Sequence, residues 1–114
     1  MAPLEGFEWR GLNFPELDTL NLTGTQYGKE IKLRSYHWAP VGERKAVVFM
    51  MHGYGSNCAI QAVIAKYFVE KGYEVFGMDM RGMGDSEGER GFLDSTDVVY
   101  NDYWQMIFSA CKKF

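Results

Sequence analysis

Gly84-Asp85-Ser86-Glu87-Gly88 fits G-x-S-x-G, the pattern that presents a nucleophilic serine. Such a serine needs a strand running straight into the first glycine and a helix opening at the serine itself. That arrangement strains the turn and exposes the hydroxyl. Here the preceding apolar segment, Tyr73–Met80, stops four residues too early, and Glu87-Gly88-Glu89-Arg90-Gly91 is too rich in glycine to open an apolar helix. Ser86 therefore reads as a loop serine bonded to its own backbone. Gly53-x-Gly55-x-x-Cys58 approaches the dinucleotide fingerprint G-x-G-x-x-G, and Asp79 ends the next strand, where a ribose-binding acid could stand. Cys58 takes the third glycine position, where a helix must pack closely. A nucleotide-binding βαβ module stays open as a secondary reading, whereas the P-loop pattern G-x-x-x-x-G-K-[ST] is absent.

His52 follows an apolar strand directly, and an activated histidine needs an acid and a nucleophile beside it. It reads as a structural histidine whose ring satisfies nearby backbone groups. His37 has no acid partner in sequence and reads as plain. The sequence contains no CxxC pair and no Cys/His cluster, so no structural metal is expected. Cys58 and Cys111 are expected as free thiols of a reducing, cytoplasmic compartment. Asn21-Leu22-Thr23 fits a glycosylation sequon, but no secretory pattern accompanies it. Cys111-Lys112-Lys113-Phe114 puts lysines where prenylation wants aliphatic residues.

These groups need elements to hold them. Thr19–Thr23 and Ile31–Trp38 read as two strands of an antiparallel hairpin, turned at Tyr27-Gly28-Lys29 and ended by Pro40 and Gly42. The second strand shifts phase near Ser35. Ala46–Met51 is apolar at every position, as a strand buried on both faces of a central parallel sheet would be. His52-Gly53-Tyr54-Gly55 turns the chain, and Ser56 or Asn57 caps a helix with Ile60, Ile64, Tyr67 and Phe68 at helical spacing. Gly72 suits the position just past that helix, and Tyr73–Met80 is the next strand. Thr96–Phe114 is a second helix with an apolar stripe of Val99, Tyr103, Met106, Ile107, Ala110, Cys111 and Phe114. Tyr100, Tyr103, Trp104 and Phe108 on it read as core or interface. Residues 1–17 read as an irregular leader pinned by Phe7, Trp9 and Phe14. The loops 52–57 and 81–95 both leave carboxyl ends of parallel strands, the edge where open α/β sheets bind ligands.

The 114 residues allow one domain, and 46% hydrophobic against 24% charged residues is globular. A net charge of −3 argues against non-specific nucleic-acid binding, and the longest apolar run, six residues, is far short of a membrane span. Nine of the 13 glycines fall between Gly42 and Gly91, so the demanding backbone chemistry lies there.

VVFMMHGYGSN, the strand ending in Asp79, and RGMGDSEGERGFLDS together resemble the front of the monoacylglycerol lipase and serine aminopeptidase-like branch of the α/β-hydrolases. The likeness covers about residues 18–110. It implies an α/β fold: the N-terminal part of a hydrolase domain over 18–114, with a hairpin leading into a parallel βαβ unit and then a helix, the sheet incomplete. It implies a small acyl or ester, lipid-like substrate and no cofactor. By the same resemblance Tyr54 donates its backbone N–H to an oxyanion. His52, Gly53, Gly55, Asp79, Arg81, Gly82, Gly84, Ser86 and Gly88 border the site as structural residues. Met83 stands where relatives commonly have His. The family's nucleophile elbow, acid and catalytic histidine follow later in its sequence, in that order, and none lies in these 114 residues. The chain alone is therefore expected to be inactive. The alternative is a non-catalytic truncated interaction protein that associates with itself through its open sheet edge.

Overall fold

A computed structural model describes residues 14–113; the Phe7, Trp9 and Phe114 expectations lie outside the described residues. The elements are β1 (Glu16–Leu17), β2 (Thr23–Gln26), β3 (Lys29–Lys32), β4 (Ser35–Trp38), β5 (Ala46–Met50), α1 (Ala62–Glu70), β6 (Tyr73–Met78) and α2 (Thr96–Lys113). A mixed four-stranded sheet runs β1-β4-β6-β5, and β2-β3 form a separate two-stranded sheet. β5 and β6 are parallel, with Val48 opposite Val75, while β4 is antiparallel to β6, with Ser35 opposite Met78.

The alternation along β6 sorts the core into two layers. Val75 joins Tyr36, Trp38, Ala62, Ala65 and Val69 on the α1 face. Phe76 and Met78 join Leu33, Val99, Tyr103, Met106 and Ala110 on the α2 face. A strand flanked on both sides must be apolar throughout, and β6 is nearly so. Its exception, Glu74, bonds His37 Nε2 across the sheet at 2.6 Å and takes Arg44 at 2.8 Å. His37 thus has the acid partner that the sequence did not display. It is buried and stacks on Phe76 with ring centroids 4.5 Å apart.

Several expected boundaries and faces move. The first hairpin strand is Thr23–Gln26 rather than Thr19–Thr23, because Asp18 and Asn21 take left-handed conformations that break an earlier strand. Tyr27 and Gly28, with φ of 51° and 73°, make the two-residue turn whose twist suits a hairpin. The expected second strand divides at Leu33-Arg34: β3 stays with the hairpin and β4 enters the main sheet, which accounts for the phase shift at Ser35. Glu16–Leu17, within the stretch read as irregular, pair with β4.

β5 is the larger correction. It lies at the sheet's edge among the described residues, not at its centre, and Ala46 and Val47 are exposed. The helix faces differ too. α1 turns Ala62, Ala65 and Val69 inward and leaves Ile64 and Tyr67 out, with Ile60 exposed in the preceding 3₁₀ turn Ala59–Gln61. Small residues win the inner face because the helix sits close to β6, where Gly77 faces Cys58. On α2, Ile107 is half-buried and Cys111 exposed, while Asp102 is buried among the apolar positions. Tyr103 is the one core ring there; Tyr100, Trp104 and Phe108 are exposed. The hairpin attaches to α2 through Gln105, whose amide accepts from Thr23 N–H at 2.9 Å and donates to Thr23 O at 2.7 Å. That side chain stands in for a neighbouring strand at the edge of β2.

Candidate functional site

β5 and β6 end side by side, and their outgoing loops meet. Residues 53–56 form a turn in which Ser56 N–H bonds Gly53 O at 3.1 Å, and Gly55 supplies the left-handed φ of 77°. Three contacts stitch this turn to the following loop. His52 Nε2 accepts the Met80 N–H at 2.9 Å, Gly55 N–H donates to the Met83 Sδ at 3.3 Å, and the Tyr54 hydroxyl donates to Gly91 O at 2.6 Å. An accepting Nε2 places the His52 proton on Nδ1, which donates to Gly53 O at 2.8 Å. His52 is buried and both its nitrogens serve the backbone. Met83 supplies an acceptor through sulfur. Among the described residues no acceptor takes up the Tyr54 backbone N–H. Gly53 has open space where a Cβ would stand.

Asp79 lies at the centre of the second loop and is fully buried. Its carboxyl accepts from Cys58 N–H at 2.7 Å, the Tyr36 hydroxyl at 2.8 Å and Asp85 N–H at 2.9 Å. Burial, then the nearby Asp79, pushes the Cys58 thiol and the Tyr36 phenol well above their ordinary ranges, so both stay neutral donors. A group so occupied is closed to a ribose. With Cys58 buried at the third fingerprint position, the nucleotide-binding reading loses its ligand contacts.

Ser86 is buried as well. Its hydroxyl donates to Asp79 O at 2.5 Å and accepts from Arg34 N–H at 2.8 Å, so it ties the loop to the strand connection rather than presenting a nucleophile. The bond runs to a carbonyl seven residues back instead of to its own immediate backbone. Gly84, at φ 52°, has the Asp79 carboxyl where a Cβ would sit, and Gly82, at φ 73°, packs against the Glu89 carbonyl. Gly88 takes φ 116°. Arg90 closes the loop by donating to the carbonyls of Gly84 and Ser86.

Arg81 is the second hub. Its guanidinium grips Asp102 with two bonds, at 2.7 and 2.9 Å, and reaches Thr25 O and Asp94, each at 3.0 Å. Tyr36 and Asp102 were missed by sequence reasoning. Asp102 left a signal, an acid within the apolar spacing of α2; Tyr36 left none. Beside the His52 turn a cavity of about 470 Å³ opens among Met51, His52, Met80, Tyr103, Trp104 and Ile107. Its lining is mostly apolar, and burial holds the Tyr103 phenol neutral by pushing it up. The described residues hold no cluster of metal-ligating side chains. No helix among them is long and apolar enough to cross a membrane.

The chain is similar to known proteins over much of its length. It is 32% identical over 78 residues to monoglyceride lipase of Rattus norvegicus, 68% of the chain but 26% of that relative. It is 31% identical over 67 residues to Protein K6 of Vaccinia virus (strain Western Reserve), 59% of the chain and 83% of that protein. Among solved structures, a soluble variant of monoglyceride lipase from Saccharomyces cerevisiae, in complex with a substrate analog, superposes with a TM-score of 0.65 at 26% identity. That likeness covers 86% of the chain and 32% of the yeast structure. The chain thus spans about a quarter to a third of these lipases. Residues 42–114 match the serine aminopeptidase, S33, family. With its βαβ unit, its antiparallel flank and both loops on one sheet edge, the chain belongs to that family and carries part of an α/β-hydrolase fold.

Proposed function

We propose that residues 18–114 are the N-terminal portion of a serine hydrolase of carboxylic esters or acylglycerols, and that Tyr54 contributes one backbone donor to its oxyanion hole. The observation that supports this reading most is the pinned turn. Gly55 and Ser56 amides are taken up, whereas the Tyr54 amide has no acceptor among the described residues and sits on the ligand-binding edge of the sheet. A fixed amide of this kind stabilises the charge that develops on a carbonyl oxygen during acyl transfer to a serine. The monoglyceride lipase relatives support an acylglycerol-like substrate. His52, Gly53, Gly55, Asp79, Arg81, Gly82, Gly84, Ser86 and Gly88 shape the site without touching the reaction.

Ser86 is spent on structural bonds and His52 on backbone groups, so the 114 residues by themselves do not hydrolyse esters. A serine-directed fluorophosphonate tests this: stoichiometric labelling of the purified chain, at Ser86 above all, overturns it. Translation of the coding sequence past Phe114 tests the larger reading. A strand leading into G-x-S-x-G is expected within about 10–20 residues, the room for one loop and one strand. A second reading, a short non-catalytic protein, draws on Protein K6, 83% of which is covered by this same kind of stretch. A stop codon directly after Phe114 in the intact transcript favours it. The unpaired thiols fit a reducing, cytoplasmic setting.

A further inference from the structure

Tyr54 stands between two glycines, and its surroundings give its side chain a task. Gly53 has open space where a Cβ would stand and no left-handed φ, so crowding does not hold its backbone. The peptide unit that carries the Tyr54 N–H is fixed inside the turn. Its carbonyl, Gly53 O, accepts from His52 Nδ1 at 2.8 Å and from Ser56 N–H at 3.1 Å. The base of the turn is fixed as well, by His52 on the Met80 N–H and by the Cys58 N–H on Asp79. The tilt of the tip over that base is left to other contacts. Among the described residues the tip has two ties to the loop opposite: Gly55 N–H on the Met83 sulfur, and the Tyr54 hydroxyl on Gly91 O. A thioether is a weak acceptor and a peptide carbonyl a strong one, so the phenol is the firmer tie. Tyr54 is 69% exposed, so its ring is not held by burial.

Gly91 O is itself set from the hairpin. The Gly91 N–H bonds Gly82 O at 2.8 Å. On either side of Gly91 the chain is gripped by residues at the β2-β3 turn. Gln26 is buried; its amide accepts the Glu89 N–H at 2.7 Å and donates to Asp94 at 2.9 Å. The Tyr27 hydroxyl donates to Glu89 at 2.7 Å, and the Tyr27 ring stacks on Phe92 with centroids 6.4 Å apart. Glu89, Phe92 and Asp94 bracket Gly91, so the place of the hairpin turn decides the place of that carbonyl.

We propose that Tyr54 is a positioning residue for its own backbone donor, and that Gln26 and Tyr27 place the carbonyl on which its phenol rests. The inference rests on the reading of the Tyr54 N–H as an oxyanion donor and gives that donor a means of aim. Such a donor works only where it stands about 2.7–3.1 Å from the oxygen that gains charge, so a small tilt of the tip removes it. Gln26 and Tyr27 need touch no substrate for this. They act through Gly91 and the Tyr54 phenol, along bonds that exist only once the hairpin and the second loop have met.

Amide shifts and hydrogen exchange of the isotope-labelled chain, read by NMR, test this. Tyr54→Phe removes the hydroxyl and keeps the ring. It is expected to move the Tyr54 amide resonance and to speed exchange of the Gly55 and Ser56 amides about two- to tenfold, the range that the net worth of one ordinary hydrogen bond supports. The Val75 and Phe76 amides of β6, which is flanked by strands on both sides, are expected to keep their rates. Tyr27→Asn removes the grip on Glu89 and Phe92, and asparagine tolerates the φ of 51° and suits the position before Gly28. It is expected to shift the Tyr54 and Gly55 amide resonances in the same direction, yet to add nothing once Tyr54→Phe has cut the line. Unmoved Gly55 and Ser56 amides in Tyr54→Phe overturn the inference. So does a speed-up that reaches Val75 and Phe76 equally, or a Tyr27→Asn effect that adds in full to that of Tyr54→Phe. A coding sequence that stops after Phe114 sinks the oxyanion reading, while the amide results still decide whether the phenol holds the turn.

Discussion

Gly77 and Cys58 share one space. A Cβ at Gly77, next to last in β6, would overlap the Cys58 Sγ, and that thiol is fully buried just before the 3₁₀ turn that leads into α1. The glycine answers a packing need, because the sulfur leaves no room for a larger side chain in a strand that otherwise carries Tyr, Val, Phe and Met beside Glu74. Gly77→Ala is expected to destabilise by about 1–3 kcal/mol through overpacking. Cys58→Ala removes the sulfur and leaves the Cys58 N–H bond to Asp79 intact. The double variant is therefore expected to recover part of the loss, a coupling that a urea-denaturation cycle measures.

Arg81 and Asp102 are both buried and joined by two bonds. Asp102→Ala removes two of the buried guanidinium's bonds and leaves it Asp94 and Thr25 O, so the cost is expected toward the lower end of the about 3–5 kcal/mol for loss of one member of a buried pair. Against a total of about 5–15 kcal/mol that is a large share. The urea midpoint is expected to fall accordingly, with a looser hairpin, because Arg81 also holds Thr25 O while Gln105 still holds Thr23.

Acid should weaken the sheet through Glu74. Burial works to raise its carboxyl, but hydrogen bonds from Arg44 and His37 outweigh this and hold it below the ordinary 4.5. A lowered carboxyl contributes stability that is present above its unfolded value and is lost as pH falls through its folded value. Melting temperature is expected to be steady between about pH 5 and 7, and to drop below the ordinary carboxyl range, about pH 4. Glu74→Gln should make that acid limb shallower. Asp94, lowered by Gln26 and Arg81 against the effect of burial, keeps some of it in place.

The two thiols should react on different timescales. Cys111 is exposed, whereas Cys58 is buried and pushed well up by desolvation and then by Asp79. A thiol-specific reagent at neutral pH is expected to modify one cysteine quickly and the second only as the chain unfolds. Two fast equivalents would show that α1 does not stay docked on β6.

Local chemistry was legible in the sequence; tertiary partners were not. The glycine and proline punctuation and the all-apolar run located β5, β6 and α2 to within one or two residues. His52 could be assigned to backbone work because its neighbours in sequence offered no catalytic company. Ser86 could be withdrawn as a nucleophile because the elbow's strand and helix were missing. The faces of α1 were misread because alanine carries no weight in an apolar stripe, yet Ala62 and Ala65 are what fit against β6. His37 was read as plain because Glu74 lies 37 residues away and meets it only when β4 pairs with β6. The apolar run of β5 was read as a central strand, whereas among the described residues it lies at the edge, because strand order is not encoded in one strand's residues.

The Gln105 side chain, bonded to both backbone groups of Thr23, ties the fate of the hairpin to that of the last helix. The Thr23 amide proton can exchange with solvent only when α2 lifts or Gln105 lets go. Hairpin and helix therefore open as one cooperative unit, although 82 residues separate the bonded pair. A chain assembled in this way leaves its first strands unsupported until its last turns have formed, so the hairpin is among the last parts to become protected as the protein folds.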